Sequence, residues 1–580
     1  MKKNSLVKTS IINVIKGNKG LAVILALMII GVVAAGLIPP QVLKYIIDNN
    51  FMKKSTDGLL LSALIYMGVI LFIGILGFIK EAILTVIGQK ITKEIRYEMM
   101  VKLHKINAEF FTQNESGSVV SRFTNDVDAI NSMFTSGMIG MIIDCLKISG
   151  IVVSIWIFSC RLGIIILLLL PVIYFITRLF QKKMLIAQLE NRKLTGKVNN
   201  HISESFKNIQ MIKSFSKETY MEKRYKDVLM DNFQTIERVN FYDSVFSPVI
   251  IIIKAVVIAL VVIFSAKQLN IFNMSLGMIA ASIDLITSLF NPIESLGMEL
   301  QNIQQSISGI RRVNEFYDER EDDKKVDYTD IKSAVNKKLN LSFDNVSFCY
   351  EGGTKILKDI NLQIKPDEKV TFAGRTGVGK TTLFKLVLGL LKPTKGSITI
   401  NGINVYDIPN YYKRNIFGYV DQGLNIVNGT VAEQVSLKDS SISMEQIKAA
   451  LDFVGMTDYI QNLENGYNTE VKNENIFSQG QKQLIAIARA IVTNPPILLL
   501  DEITANLDSI TEDKIVSVLQ KAGKNHTILS ISHRLSSIIA SDTVVILEKG
   551  RIKNSGSPEA LLQNDEWYRS HIAMEKLTWR

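Results

Sequence analysis

Two fold classes in tandem are predicted for this 580-residue chain: a membrane domain of six transmembrane α-helices, then an α/β domain built on a phosphate-binding loop. Three observations predict them. Long uncharged apolar runs fill the N-terminal half of a chain that is 47% hydrophobic, with a mean hydropathy of +0.20. From Leu339 onward the pattern changes to short β-branched runs separated by turn residues. Between a strand-like and a helix-like run of that part stands Gly374-Arg-Thr-Gly-Val-Gly-Lys-Thr381, the spacing of a P-loop. A chain of this length exceeds one hydrophobic core, and the expected division is 1–317 membrane domain, 318–338 linker and 339–580 nucleotide-binding domain.

The apolar runs come in order. Leu21–Val42 carries no charge and is long enough as a helix to cross about 30 Å of hydrocarbon; Pro39-Pro40 falls near its end. Leu59–Ile79 is the second run. A patterned but highly charged stretch, about Gly88–Thr135, suits helices that leave the membrane and return. Ile139–Ser159 and Leu162–Ile176 flank a tight turn at Cys160-Arg161, and a second charged helical stretch follows over Arg178–Asp243. Val245–Ala266 and a run from Ile271 to about Leu296 complete six spans. The basic N-terminus leads into a run of full spanning length, so it is read as a retained first span rather than a cleaved signal peptide.

The net charge is +11. Basic residues crowd the N-terminal tail and both long loops (Lys90, Lys93, Arg96, Lys182, Lys183, Arg192), which places those segments and both termini in the cytoplasm and accounts for the charge without a nucleic-acid partner. The cysteines Cys145, Cys160 and Cys349 are widely separated and suggest neither a disulfide framework nor a zinc site.

In the second domain, Leu341–Phe348, Lys369–Ala373, Ser397–Ile400, Ile497–Leu500 and Thr527–Ile531 read as strands, the last two continuous apolar segments of a sheet covered on both faces. The loop Gly374, Arg375, Thr376, Gly377, Val378, Gly379, Lys380, Thr381 precedes a helix beginning at Thr382. There backbone N–H groups and a helix N-terminus favour phosphate. Lys380 would hold the β- and γ-phosphates of ATP, and Thr381 would ligate Mg2+. An acidic pair, Asp501-Glu502, ends a buried strand, costly unless a cation satisfies it. Asp501 would hold Mg2+ through water and Glu502 would orient or deprotonate the attacking water.

Taken together, these motifs resemble the nucleotide-binding domain of ATP-binding-cassette (ABC) transporters. Phe477-Ser478-Gln479-Gly480-Gln481 resembles the family's signature sequence, Asp501–Asp508 its Walker B and D-loop, and Ser532-His533 its H-loop. Gly418–Gln422 resembles the Q-loop and Phe348-Cys-Tyr350 the aromatic A-loop. The match covers Leu339 to about Glu559. It implies that Tyr350 stacks on adenine, that Gln422 touches Mg2+, and that His533 hydrogen-bonds the γ-phosphate. It further implies that Ser478 and Gly480 grip the γ-phosphate bound to the opposite subunit, so each chain holds half of each site. Three departures stand out: Phe477 and Gln479 within the signature, a glycine-poor Thr469–Ile476 before it, and Asp421 in place of the usual proline.

The N-terminal half resembles the exporter-type membrane domain through Phe110-Phe111, Gly117, Ser121-Arg122, Asn125-Asp126-Val127, Glu204, Ile212–Phe215, Glu218, Gly277 and Asn291-Pro292. The resemblance implies transverse helices at the loop tips, placed near Asn114–Phe123 and Phe206–Ser214, and a half-transporter working as a homodimer or a heterodimer. Candidate cargo contacts are the intramembrane charges Asp144, Lys147, Lys254 and Asp284. Asp144 and Lys147 can pair at i,i+3, and Lys254 can pair with Asp284 between the last two spans. Glu294 and Glu299 are expected on the solvated extension of the last helix. The implied function is ATP-driven export of an amphipathic cargo (drug, lipid or peptide) from a multi-pass protein of a bacterial plasma membrane. The alternatives are a heterodimer subunit and an ATP-gated sensor or importer of the same fold.

Overall fold

The computed structural model describes residues 5–52, 58–265, 272, 274–322, 339–350, 353–423, 426–471, 476–503, 509–532 and 541–578. Contacts divide the chain into two units, Met1–Ile106 with Asn114–Arg320 and Asn107–Gln113 with Glu321–Arg580.

Among its described residues the first unit contains six helices long and apolar enough to cross a membrane: Lys19–Phe51, Leu59–Leu103, Ser116–Phe158, Cys160–Lys207, Glu218–Ser265 and Leu276–Tyr317, spans 1 to 6. Span 1 is composite, with helix Lys19–Gly36 giving way to Ile38–Tyr45 and a π-helical turn, Ile46–Phe51. Pro39 sits in the first turn of the second piece, where its missing N–H costs no helical bond. Span 3 holds two further π-helical turns, Arg122–Asp126 and Met133–Ile139. Isoleucine, leucine and phenylalanine side chains from spans 3 to 6, among them Ile155, Leu162, Ile250 and Leu285, form one buried cluster.

Span 6 is anchored at both ends by polar contacts. At its start, Asp48 accepts hydrogen bonds from the Ser275 hydroxyl at 2.6 Å and the Gly277 N–H at 2.9 Å. Toward its end, Arg312 Nε donates to the buried Asp126 carboxylate at 2.8 Å. The loop tips differ in part from expectation. A short helix does occupy Ile209–Ser214, but in the first loop Ala108–Gln113 and Ser116–Ser121 are separate helices. The segment grouped with the second unit is Asn107–Gln113, upstream of the expected Asn114–Phe123. Helix Leu59–Leu103 ends before this loop, and Ser116–Ser121 begins span 3.

In the second unit the strands are β1 (Leu341–Cys349), β2 (Lys355–Ile364), β3 (Lys369–Ala373), β4 (Lys395–Ile400), β5 (Ile403–Asn404), β6 (Phe417–Val420), β7 (Gly429–Thr430), β8 (Glu470–Val471), β9 (Ile497–Asp501), β10 (Thr527–Ile531), β11 (Thr543–Glu548) and β12 (Arg551–Gly556). An antiparallel sheet runs β2-β1-β4-β5, and a six-stranded sheet runs β12-β11-β3-β10-β9-β6. From β11 to β6 that larger sheet is parallel, with Phe372 opposite Ile531, Ile531 opposite Asp501 and Leu500 opposite Val420. The ends of β3, β10, β9 and β6 therefore lie level along one edge, where ligand sites form in sheets of this kind. Strand β9 is buried at every position, as a parallel strand covered on both faces requires.

Candidate functional site

The level strand ends bring together motifs far apart in sequence. The P-loop leaves β3 and opens the helix Lys380–Val387, Gln422 follows β6, Asp501 ends β9, and Ser532 follows β10. Gly377 and Gly379 have φ of +84° and +104°, a region that strains any side chain, and a methyl on Gly379 would also press on Ile356 at 2.8 Å. Both glycines thus serve the turn. Lys380 folds back over it, donating from Nζ to the carbonyls of Gly374 at 2.7 Å and Arg375 at 3.2 Å. Burial lowers its pKa, and Glu502 and Asp501 partly offset that. Arg375, Thr376, Gly377 and Val378 wall a cleft of about 580 Å3 together with Ile356 and Trp567. Tyr350 stands edge-on to Phe348 at 4.9 Å, its hydroxyl 3.5 Å from that of Thr382.

Asp501 is 4% exposed. Burial above all, then the charges of Glu502 and Asp421, pushes its carboxyl up to about 6, against the lowering influence of the Thr381 hydroxyl and Lys380. A buried carboxylate bonded to a threonine hydroxyl, with a glutamine amide on the adjoining Glu502, is a hard-oxygen set. Such a set suits a small divalent cation. Glu502 follows with a φ of +47°, a strained backbone typical of functional positions. Its N–H donates to Ile531 O at 3.0 Å, so β10 holds it in place.

Gln422 binds on three sides. Its Nε2 donates to Glu502 Oε2 at 3.0 Å, its N–H donates to Asp421 Oδ1 at 2.9 Å, and its carbonyl accepts from Gln483 Nε2 at 3.0 Å. Tyr419 donates to the same Asp421 oxygen at 3.2 Å, and burial, with Asp421 and Asp501 nearby, raises the phenol's pKa. Asp421 therefore does more than stand in for a proline: its carboxylate ties down the backbone entering Gln422. Neither Tyr419 nor Gln483 was selected from sequence; Gln483 lies one turn beyond Gly480, 61 residues from Gln422.

Ser478 caps the helix Gln479–Ile491 in a reciprocal box, its hydroxyl accepting from Gln481 N and its N–H donating to Gln481 Oε1 at 2.8 Å. Phe477 is buried against Tyr459, and Gln479 is exposed. A methyl on Gly480 would collide with Thr511, so this glycine has a packing reason as well. His533 and Asp508 lie outside the described residues, as does the middle of the segment Thr469–Ile476.

The membrane charges sort differently from expectation. Asp144 and Lys147 pair at 3.8 Å, and Ser295 donates a short hydrogen bond to Asp144. Among the described residues no ion pair joins Lys254 to Asp284. The helices carrying them share an aliphatic core in which Ile250, Val257 and Val261 cluster with Ala281 and Leu285. Glu299 is not solvated as expected but 9% exposed. The bare backbone of Gly140 makes room for it, since a methyl there would collide with its carboxylate.

A P-loop on a parallel sheet, with a carboxylate pair and a glutamine level with it, defines a nucleoside-triphosphate hydrolase, here fused to six membrane-spanning helices. Comparison with known proteins gives the family. The ABC transporter transmembrane region matches residues 21–293 and the ABC transporter domain matches residues 357–505. A putative multidrug export ATP-binding/permease protein of Staphylococcus aureus is 30% identical over 96% of this chain and 97% of its own length. An ATP-dependent lipid A-core flippase of Thiobacillus denitrificans is 28% identical over 95% of each. The solved structure of a bacterial Atm1-family ABC exporter with ATP bound matches in fold, with a TM-score of 0.79 at 24% identity and 99% coverage of both chains. The chain belongs to the ABC transporter family in its exporter arrangement, with one membrane region and one ATPase region in a single polypeptide. It is an ATPase whose hydrolysis drives export across a membrane.

Proposed function

We propose that this chain is a half-transporter that moves an amphipathic cargo by alternating access, in a dimer that completes two ATP sites. Within each site Lys380 and the P-loop amides hold the phosphates, Tyr350 carries the adenine, and Glu502 orients or deprotonates the attacking water. Thr381, Gln422 and Asp501 would hold Mg2+, whose charge neutralises the phosphate oxygens when it is bound. Gln422 keeps Glu502 aimed through their shared hydrogen bond. His533 would donate to the γ-phosphate, Ser478, Gly480 and Gln481 would face the partner's nucleotide, and Asp508 would serve as the D-loop aspartate.

The observation that carries this reading is the single sheet edge shared by the P-loop, Gln422, Asp501 and Glu502. Support for a dimer comes from helix Ile209–Ser214, which with its flanks exposes Phe206 at 75% and Phe215 at 70%. Such an apolar tip suits a partner's ATPase domain. Asn107–Gln113 groups with the ATPase unit, with Asn107 Nδ2 donating to the Tyr406 hydroxyl at 3.4 Å, and would carry its movement to the spans. The names of relatives, a multidrug exporter and a lipid A-core flippase, favour a cargo that is drug-like or lipid. The basic loops favour a cytoplasmic side for both termini, and the bacterial relatives favour a plasma membrane. Asp144, Lys147, Lys254 and Asp284 are the candidate cargo contacts within the spans.

The test is the ATPase rate of the full chain purified alone in lipid, beside Glu502→Gln. Turnover that the substitution abolishes while ATP binding persists would support a homodimer with Glu502 as base. A folded, ATP-binding chain without turnover would refute the homodimer and point to a second half-transporter chain as partner. Turnover surviving in Glu502→Gln would remove Glu502 from its role.

A further inference from the structure

Spans 4 and 6 line an open cavity, apolar over much of its wall, that ATP turnover leaves without a role. Arg178 is the first charge after the apolar run of span 4, and Gln181 and Lys182 lie one turn further on. Arg161 opens that run, and 17 residues of helix separate the two arginines by about 26 Å, close to the thickness of the hydrocarbon layer. The Arg178 guanidinium therefore lies at headgroup level. Facing it, span 6 presents Gly297. A methyl there would collide with the Gln181 carboxamide, so the missing side chain is what admits Gln181 between the helices.

Tyr174, Arg178, Gln181 and Lys182 from span 4, with Gly297 and Gln304 from span 6 and a leucine from each helix, line a cavity of about 310 Å3. The guanidinium lies over the Tyr174 ring, 6.0 Å from its centre, which restrains the side chain. No carboxylate lines the cavity or pairs with Arg178 or Lys182 among the described residues. Two cations, two carboxamides and a phenol are thus gathered where hydrocarbon meets water. A guanidinium presents a planar fork of donors that matches phosphate oxygens, and tyrosine favours this depth. A soluble anion could satisfy the charge, but a site at this level is filled from the bilayer, where anionic headgroups are concentrated.

We propose that this cavity binds the phosphate headgroup of an anionic membrane lipid, held by Arg178 and Lys182 and oriented by Gln181 and Gln304. The site depends on the membrane placement of spans 4 and 6 and not on the identity of the exported cargo.

The test uses the full chain, delipidated in detergent and titrated with phosphatidylglycerol, with phosphatidylcholine of the same acyl chains and with inorganic phosphate, bound lipid being counted by native mass spectrometry. The wild type should retain phosphatidylglycerol at about tenfold lower concentration than phosphatidylcholine. Arg178→Gln with Lys182→Gln should erase that preference. Gly297→Ala keeps both charges and pushes Gln181 into the cavity, and should weaken the preference as well. Lys193→Gln, on the same helix beyond the cavity, should keep it. Equal retention of the two lipids by the wild type, or an unchanged preference in the double variant, would overturn the site. Displacement of phosphatidylglycerol by millimolar inorganic phosphate would overturn the assignment to lipid, because a headgroup held also by its tails would not be lost so easily.

Discussion

Replacing Asp501 by asparagine should make the nucleotide-free protein more stable while abolishing its turnover. The Asp501 carboxyl rises from its ordinary 3.8 to about 6 in the folded chain, chiefly through burial. The native state therefore holds this proton to higher pH than the unfolded chain does, and stability falls as pH climbs from 3.8 through 6. Two pKa units amount to about 3 kcal/mol, fully imposed at pH 8 and roughly half imposed at pH 5. Asparagine keeps the shape and the acceptor for Thr381 without the charge. In the full chain, scanned by heat without nucleotide and with chelator, Asp501→Asn should raise the ATPase-unit transition at pH 8 by roughly 5–10 °C. The gain should shrink by about half at pH 5. Saturating Mg2+ and ATP should reverse the order of the two proteins, because only the wild type gains a cation against its carboxylate. An unchanged or lowered midpoint at pH 8, or a gain as large at pH 5, would refute the burial of an uncompensated charge at this position.

Other perturbations test neighbouring contacts. Gln483→Leu removes the donor to the Gln422 carbonyl and should lower kcat several-fold with KM for ATP little changed, as steady-state kinetics would show. Gly379→Ala places a side chain at a φ of +104°, a strain of about 1–3 kcal/mol, and should weaken ATP binding about tenfold or more by fluorescent-nucleotide titration. Arg312→Gln leaves Asp126 buried without its bidentate partner and should cost about 1–3 kcal/mol, limited by the half-exposed arginine. Adding Asp126→Asn should recover most of that loss in thermal unfolding.

What the sequence reveals follows the range of the forces involved. Apolar runs of spanning length and β-branched strands are local, so Leu21–Val42 or Ile497–Leu500 could be read directly. The phosphate motifs are local too, and strand order alone brings them level. Contacts made across the fold were not legible. Glu299 looks solvated in its own helix; only the bare face of Gly140, 159 residues away, shows how it is buried. Lys254 and Asp284 look like partners by type, yet their helices meet through aliphatic side chains and no ion pair joins the two among the described residues. The first-loop helix is expected at Asn114–Phe123 by resemblance alone, whereas a helix already forms at Ala108–Gln113, soon after the end of Leu59–Leu103. Asp421 was legible as a departure, but not its bonds to Tyr419 and Gln422.

Gln422 is where these distant contacts matter most. Its side chain holds Glu502, and its carbonyl is held by Gln483 of the signature helix. Gln483 is 2% exposed, and its Oε1 has no hydrogen-bond partner among the described residues, so the amide is kept in a costly position to make that one bond. The helix that begins at Ser478 is thereby two hydrogen bonds from the chain's own glutamate. In a dimer whose signature helices face the partner's nucleotide, tilting that helix on binding would pull on Gln422 and shift Glu502. Occupancy of one site would then alter the geometry of the other through residues of a single chain. Cooperativity in ATP concentration should therefore decline in Gln483→Leu even where turnover at saturation persists; cooperativity unchanged from wild type would break this link.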